Sequence, residues 1–215
     1  MEKLKKEIPF VAIALIPFIY LAYIWNSLPE KVPIHWNGSG EIDRYGDRKE
    51  LVFILLLLVG LTYFIFLVIP HIDPKQKLQN MGKKLNSLRM VLTVFMSALA
   101  IYILFSTQQK NSDPGFVFAI IGLLFAFLGN YLKTIKPNYF IGIRTPWTLE
   151  NEEVWKKTHL LAGKLWFVGG LLMAMTFLVP NVFQEYTFFG ITAVIIIIPI
   201  LYSYLAFKKI KSVTK

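Results

Sequence analysis

Six stretches of the chain stay apolar for about the length of a bilayer crossing: residues 8–27, 51–70, 88–106, 115–133, 161–180 and 187–207. A hydrocarbon core ~30 Å thick takes about 20 residues of α-helix, and only a segment that satisfies its own backbone hydrogen bonds survives there. The runs therefore predict an all-α, polytopic membrane protein with six transmembrane helices. The first run follows a basic stretch, Met1 to Lys6, as the core of a signal peptide would. It is longer than such a core and no small-residue cleavage site follows, so it is expected to remain as an anchor. The polar segments between runs divide the chain into two modules. Residues 1–70 form a two-helix module around an outer loop at 28–48, and residues 88–207 form a four-helix region carrying an inner motif at 129–163.

Composition agrees with this reading. Hydrophobic residues make up 55% of the chain and charged residues 17%, against about 45–50% and about 25% in soluble domains. A water-soluble globular enzyme is excluded. With no cysteine in the chain, a disulfide scaffold, a thiolate metal site and a cysteine nucleophile are excluded as well.

A net charge of +10 would suit a nucleic-acid binder, but the placement of the charges argues against one. Of 23 Lys and Arg residues, 18 fall in alternate polar segments: Lys3 to Lys6, Lys75 to Arg89, Lys133 to Lys164, and Lys208 to Lys215. The remaining five are Lys31, Arg44, Arg48, Lys49 and Lys110. Basic loops resist translocation, so this asymmetry predicts both termini in the cytoplasm. No Asp, Glu, His or Arg is expected at mid-membrane depth, which disfavours a transporter with a charged central site. Asn130, Thr93, Ser97 and Thr176 are the polar candidates within spans, and such side chains are expected to bond their own helix or a neighbour. Gly122, Gly129, Gly169, Gly170 and Ala174 are expected to let helices approach closely.

The outer loop runs Leu28-Pro-Glu-Lys-Val-Pro-Ile-His-Trp-Asn-Gly-Ser-Gly-Glu-Ile-Asp-Arg-Tyr-Gly-Asp-Arg48. Pro29 and Pro33 favour extended backbone, and Asn37, Gly38, Gly40 and Gly46 supply tight turns. The loop is expected to be ordered and to offer His35, Trp36, Asn37 and Asp43 to a ligand. Trp36 and Tyr45 suit the membrane interface. His35, Glu41, Asp43 and Asp47 lack a recognised ligand spacing, so no metal is expected.

The inner segment from Gly129 to Gly163 is the most informative. Pro137 and Asn138 end the fourth helix, Gly142 allows a turn, and Pro146 bars any helix from running through it. A helix is expected to restart near Thr148 or Asn151, with Glu152 and Glu153 in its first turn paired at i,i+4 to Lys156 and Lys157. Trp155 and His159 share one face. This helix is expected to lie along the cytoplasmic interface before bending into the fifth span. Arg144 is the one candidate for an anion, since its guanidinium fork suits phosphate or carboxylate, although an interfacial Arg more often contacts lipid headgroups or caps carbonyls. No nucleophile–base pair, zinc motif or phosphate-cradling loop is present.

The core Asn138-Tyr-Phe-Ile-Gly-Ile-Arg-Thr-Pro-Trp-Thr-Leu149, followed by Val154-Trp-Lys-Lys-Thr-His159, closely resembles the signature of SdpI-type bacterial immunity proteins. The outer Leu28-Pro-x-x-x-Pro-x-His-Trp-Asn-x-x-Gly-x-x-Asp43 resembles a small uncharacterised module that often precedes it. The resemblance implies a multi-pass protein of the bacterial plasma membrane that protects the cell from a secreted peptide toxin. It also implies a possible sensor that holds a cytosolic transcriptional repressor at the membrane. No enzymatic chemistry, cofactor or direct nucleic-acid contact is implied, and membrane lipids are the remaining partners. The partner-binding residues it points to are Asn138, Gly142, Arg144, Thr145, Pro146, Trp147, Thr148, Trp155 and His159. The alternative is a membrane enzyme or a lipid- or small-molecule-handling protein using Arg144 and His159, which would need a polar cavity holding Glu152 or Glu153.

Overall fold

A computed structural model describes residues 2–37, 41–73, 76–109 and 114–213. Among them six helices are long and apolar enough to cross a membrane, at Lys5–Ser27, Lys49–Ile72, Lys83–Ser106, Gly115–Leu132, Glu152–Leu178 and Val182–Ser212. Large apolar side chains such as Tyr23, Phe64, Val182, Phe189 and Leu205 lie more than half exposed along them. That surface is untenable in water and natural against lipid tails.

The elements, in order, are α1 (Glu2–Ile24), β1 (Lys31–Trp36), β2 (Ile42–Asp47), α2 (Lys49–Leu55), α3 (Thr62–Ile72), α4 (Lys83–Ser106), α5 (Pro114–Leu132), α6 (Pro146–Glu150), α7 (Glu152–Ala174) and α8 (Asn181–Val213). A π-helical stretch at Leu56–Leu61 joins α2 to α3 within one continuous span. Two compact units result, one from residues 1–72 and 81–120, the other from 73–80 and 121–215.

In the first unit the outer loop folds as an antiparallel hairpin, with Lys31 opposite Asp47, Val32 opposite Gly46 and Trp36 opposite Ile42. The turn expected at Gly38 and Gly40 lies outside the described residues. Gly46 is not at a turn, contrary to the sequence-based expectation. It is buried within β2, where a Cβ would meet Ile34 Cδ1 at 2.6 Å and Glu50 Oε1 at 2.7 Å, so a larger residue there would have to displace the ends of those two side chains. Val32 anchors the hairpin by burying its side chain among Leu21, Ile24, Leu28, Leu51, Leu55 and Leu104. Arg48 seals the same end by donating to the carbonyls of Trp25 and Leu28.

Prolines inside spans set two further contacts. Pro17 has no N–H, which leaves the carbonyl of Ile13 without its helical donor. Ser97 of α4 supplies one, its Oγ lying 3.2 Å from that oxygen. In the second unit Pro199 does the same to Ile195, and the indole Nε1 of Trp166 donates to the freed carbonyl at 2.9 Å. Thr93 and Thr176 bond within their own helices, to Arg89 O and Met173 O. Asn130 is exposed.

Small residues let α5 and α7 touch backbone to backbone. A Cβ on Gly122 would run into Ala174 and Gly170, and one on Gly170 into Ala126 and Gly122. Gly129 lies equally close to Trp166 and Phe167, whereas Gly169 faces Ile195 of α8. Close approach of this kind supplies dispersion contact where lipid offers no hydrophobic driving force.

Candidate functional site

The inner motif is a loop knitted to the first turns of α7. Asn138 organises it. Its Oδ1 accepts from the N–H groups of Phe140 and Ile141 at 2.8 and 2.7 Å, while its Nδ2 donates to the carbonyls of Lys136 and Ile141. Gly142 follows at φ 110°, a left-handed backbone that favours glycine, and a Cβ there would strike His159 Nε2. The chain then turns so that the Ile143 N–H donates to that same nitrogen at 3.0 Å.

His159 uses both ring nitrogens. With Nε2 accepting from Ile143, Nδ1 must carry the proton and donate to the carbonyl of Trp155 at 2.9 Å. The ring is 2% exposed and stacks on Trp155 at 4.0 Å, with 20° between planes. Trp155 in turn donates from Nε1 to Ile135 O at 2.9 Å. The shared face expected of these two side chains therefore exists, and it is the platform on which the loop rests.

Thr145 begins α6 with a capping box. It bonds reciprocally with Thr148, backbone to side chain, at 3.0 and 3.3 Å, and Thr148 Oγ1 also donates to Ile143 O at 2.8 Å. Pro146 occupies the first turn of α6, where its missing N–H costs nothing. Thr145 Oγ1 reaches Ser203 Oγ of α8 at 3.0 Å, and the Trp147 ring packs on Tyr204 with centroids 5.1 Å apart.

The restart expected near Thr148 or Asn151 is thus two helices, because two caps are present. Asn151 closes α6 and its side chain accepts from the N–H groups of Glu153 and Val154 to open α7. From there α7 runs without a break to Ala174. Glu153 pairs with Lys157 at 2.7 Å.

Of the nine inner residues, Asn138, Thr145, Thr148, Trp155 and His159 are buried, Gly142 and Trp147 are half-buried, and Arg144 and Pro146 are exposed. The structure brings all nine together, but most of them build the loop and few face outward. Arg144 donates to the carbonyl of Tyr139 and makes no other polar contact among the described residues. It stands at the edge of a cavity of about 260 Å³ lined by residues 142–145, Trp166, Ile195, Ile196 and Ile200. Neither Glu152 nor Glu153 lines it.

In the hairpin, His35 Nδ1 and Asp43 Oδ1 lie 2.6 Å apart on the exposed face. Asn37 Nδ2 donates to Glu41 at 3.0 Å, and Asn37 Oδ1 accepts from the Glu41 N–H. Asp47 accepts from the Lys49 N–H at the start of α2. Of the four acid and imidazole groups weighed as a cation site, His35 and Asp43 thus pair with each other while Glu41 and Asp47 bond Asn37 and Lys49, and Trp36 is half-buried with its indole N–H turned inward.

Sequence reasoning missed one charged cluster. Arg89 of α4 is buried and grips Glu7 of α1 through two nitrogens, at 3.1 and 2.7 Å. Tyr63 donates to the same carboxylate at 2.9 Å, and the guanidinium lies 4.5 Å from the Phe10 ring centroid. Ser203 and Trp166 were missed too. The signal for Ser203 was a small hydroxyl residue between Tyr202 and Tyr204 within a long apolar span. For Trp166 none existed, because its partner is a carbonyl freed by a proline 33 positions away.

Residues 134–203 match the SdpI/YfhL protein family, and residues 12–60 match a domain of unknown function, DUF1648. The Immunity protein SdpI of Bacillus subtilis (strain 168) is 27% identical over 172 residues, covering 80% of this chain and 81% of the relative. An uncharacterized protein of Archaeoglobus fulgidus is 43% identical over 44 residues, 20% of this chain and 24% of that one. No solved structure matches. With six apolar spans, a region matching the SdpI/YfhL family that takes in the knitted inner loop, and similarity to an immunity protein along four-fifths of its length, the chain is a multi-pass plasma-membrane protein similar to the SdpI/YfhL family.

Proposed function

We propose that this chain is a non-enzymatic membrane immunity protein that protects its cell from a secreted peptide toxin. The carrying observation is its similarity to an immunity protein over four-fifths of both chains. The charge asymmetry supports an arrangement with both termini and the inner loop in the cytoplasm and the hairpin outside. On that arrangement the hairpin, held rigid by Val32 and Arg48, offers exposed His35, Asp43, Arg44 and Tyr45 to the toxin. The inner loop offers exposed Tyr139, Arg144 and Leu149 to a cytosolic repressor, while Asn138, Thr148, Trp155 and His159 hold it in shape. His159 has no spare nitrogen and no carboxylate lines the cavity, which favours recognition over chemistry.

The experiment is survival. A host sensitive to a peptide toxin, expressing this chain, is expected to outlive the empty-vector control in colony counts after exposure. Survival equal to the control overturns immunity. For the sensing step, Arg144→Ala combined with Leu149→Ala is expected to keep survival while abolishing toxin-dependent induction of a reporter driven by the chain's own promoter. Unchanged induction removes the repressor from the scheme.

A further inference from the structure

The cavity beside Arg144 has an apolar wall that the immunity reading leaves unused. Its walls are Trp166 of α7 and Ile195, Ile196 and Ile200 of α8, all within membrane-spanning segments, and its rim carries Arg144. Ile196 and Ile200 are 40% and 41% exposed, so the cavity opens toward the surroundings of the helices rather than into a packed core. At 1.5 Å per residue, Ile196 lies ~18 Å along α8 from Lys208, so the apolar wall extends from the depth of the acyl chains toward the basic end of the helix.

Arg144 brings five N–H donors, and the Tyr139 carbonyl occupies only one nitrogen. No carboxylate among the described residues neutralises it, in contrast to Arg89, which is gripped by Glu7. A permanent cation lining a cavity of about 260 Å³ whose other wall is Trp166 and three isoleucines is complementary to one ligand class, an anionic amphiphile that lays part of an acyl chain there. We propose that this cleft is a binding site for an anionic glycerophospholipid, with its phosphate on the Arg144 guanidinium and one acyl chain laid against Trp166, Ile196 and Ile200. A guanidinium matches phosphate oxygens two at a time, and a zwitterionic lipid brings a competing ammonium that this basic end of α8, with Lys208, Lys209 and Lys211, repels. The loop is well suited to hold such a ligand, since Thr145 is tied to Ser203 and fixes the rim against the wall.

The test uses the full chain, purified in detergent and studied by native mass spectrometry with dioleoylphosphatidylglycerol or dioleoylphosphatidylcholine added at equal concentration. One phosphatidylglycerol per chain is expected to survive activation that strips phosphatidylcholine. Arg144→Gln is expected to lower its retention by at least about tenfold, the size of one charged hydrogen bond, while Arg144→Lys recovers part of it and Arg44→Gln, on the hairpin, changes nothing. Ile200→Trp fills the cleft from its exposed side and is expected to abolish retention with Arg144 intact, which keeps the test decisive should Arg144→Gln fail to fold. Equal retention of the two lipids, or undiminished retention in Ile200→Trp, overturns the proposal. Displacement by glycerol 3-phosphate at the lipid's own concentration overturns it too, because the acyl chain would then contribute nothing. Toxin survival plays no part in these readings, so the lipid site and the immunity function stand or fall separately.

Discussion

Gly142 decides how the inner loop meets α7. Its φ of 110° and the place its absent Cβ would take, at His159 Nε2, leave no room for any other residue without moving the ring. That ring nitrogen is also the acceptor for the Ile143 N–H, so a shift would strip a hydrogen bond from a half-buried amide. Gly142→Ala is expected to cost ~1–3 kcal/mol from backbone strain alone. For a chain of this length that is a fall of about 2–4 °C in the unfolding midpoint for each kcal/mol. The check is thermal unfolding of the purified protein followed by near-ultraviolet circular dichroism, which reports the Trp155–His159 stack. A midpoint equal to the wild type would mean the loop is not seated on His159. That Trp155 and His159 share a face was legible in their i,i+4 spacing. What covers them was not, because Ile143 sits 16 residues before His159 and no local rule links the two.

Helices with interior prolines illustrate how an element's defect becomes a contact. Pro17 and Pro199 each orphan a carbonyl one turn back, and in a membrane no water is at hand to satisfy it. Ser97 and Trp166 supply the donors. The consequence is measurable in a double-mutant cycle. Trp166→Phe alone is expected to cost on the order of 0.6 kcal/mol, with an upper bound of ~1.7, the range of hydrogen bonds between membrane helices. In a Pro199→Ala background the restored N–H of residue 199 bonds Ile195 itself, so Trp166→Phe should then cost close to nothing. Equal costs in the two backgrounds, read from unfolding in detergent and denaturant, would show that the indole serves packing and not the orphaned carbonyl. The same elements show where sequence reading reaches. Asn151 announces a helix start by its type and position, whereas the start at Thr145 emerges only with the structure. That they open two successive helices, with α7 then running straight on to Ala174, follows from the two caps acting one after the other.

At the level of the whole chain, the distribution of charge predicts which segments face which side. The chain has no cysteine, so single cysteines report accessibility without background. Glu41→Cys, on the exposed hairpin, is expected to react with a membrane-impermeant maleimide in intact cells. Ser212→Cys, near the exposed end of α8, should react only after permeabilisation. The reverse result would invert the topology and move the inner loop to the outer face, where a cytosolic partner could not meet it.

Span number, span boundaries within a few residues at most ends, the helix cap at Asn151 and the imbalance of Lys and Arg were determined by the sequence itself. Each depends on a local property, the length of an apolar run or the residue at a helix end, that a bilayer or a backbone reads directly. Tertiary structure alone decided that the outer loop is a hairpin buried through Val32 and that Arg89 closes on Glu7 across 82 residues of chain. It alone opened a cleft between Arg144 and the isoleucines of α8. These features arise between positions whose sequence separation carries no signal, where a buried charge or a freed carbonyl takes whatever partner the packing of helices brings within reach.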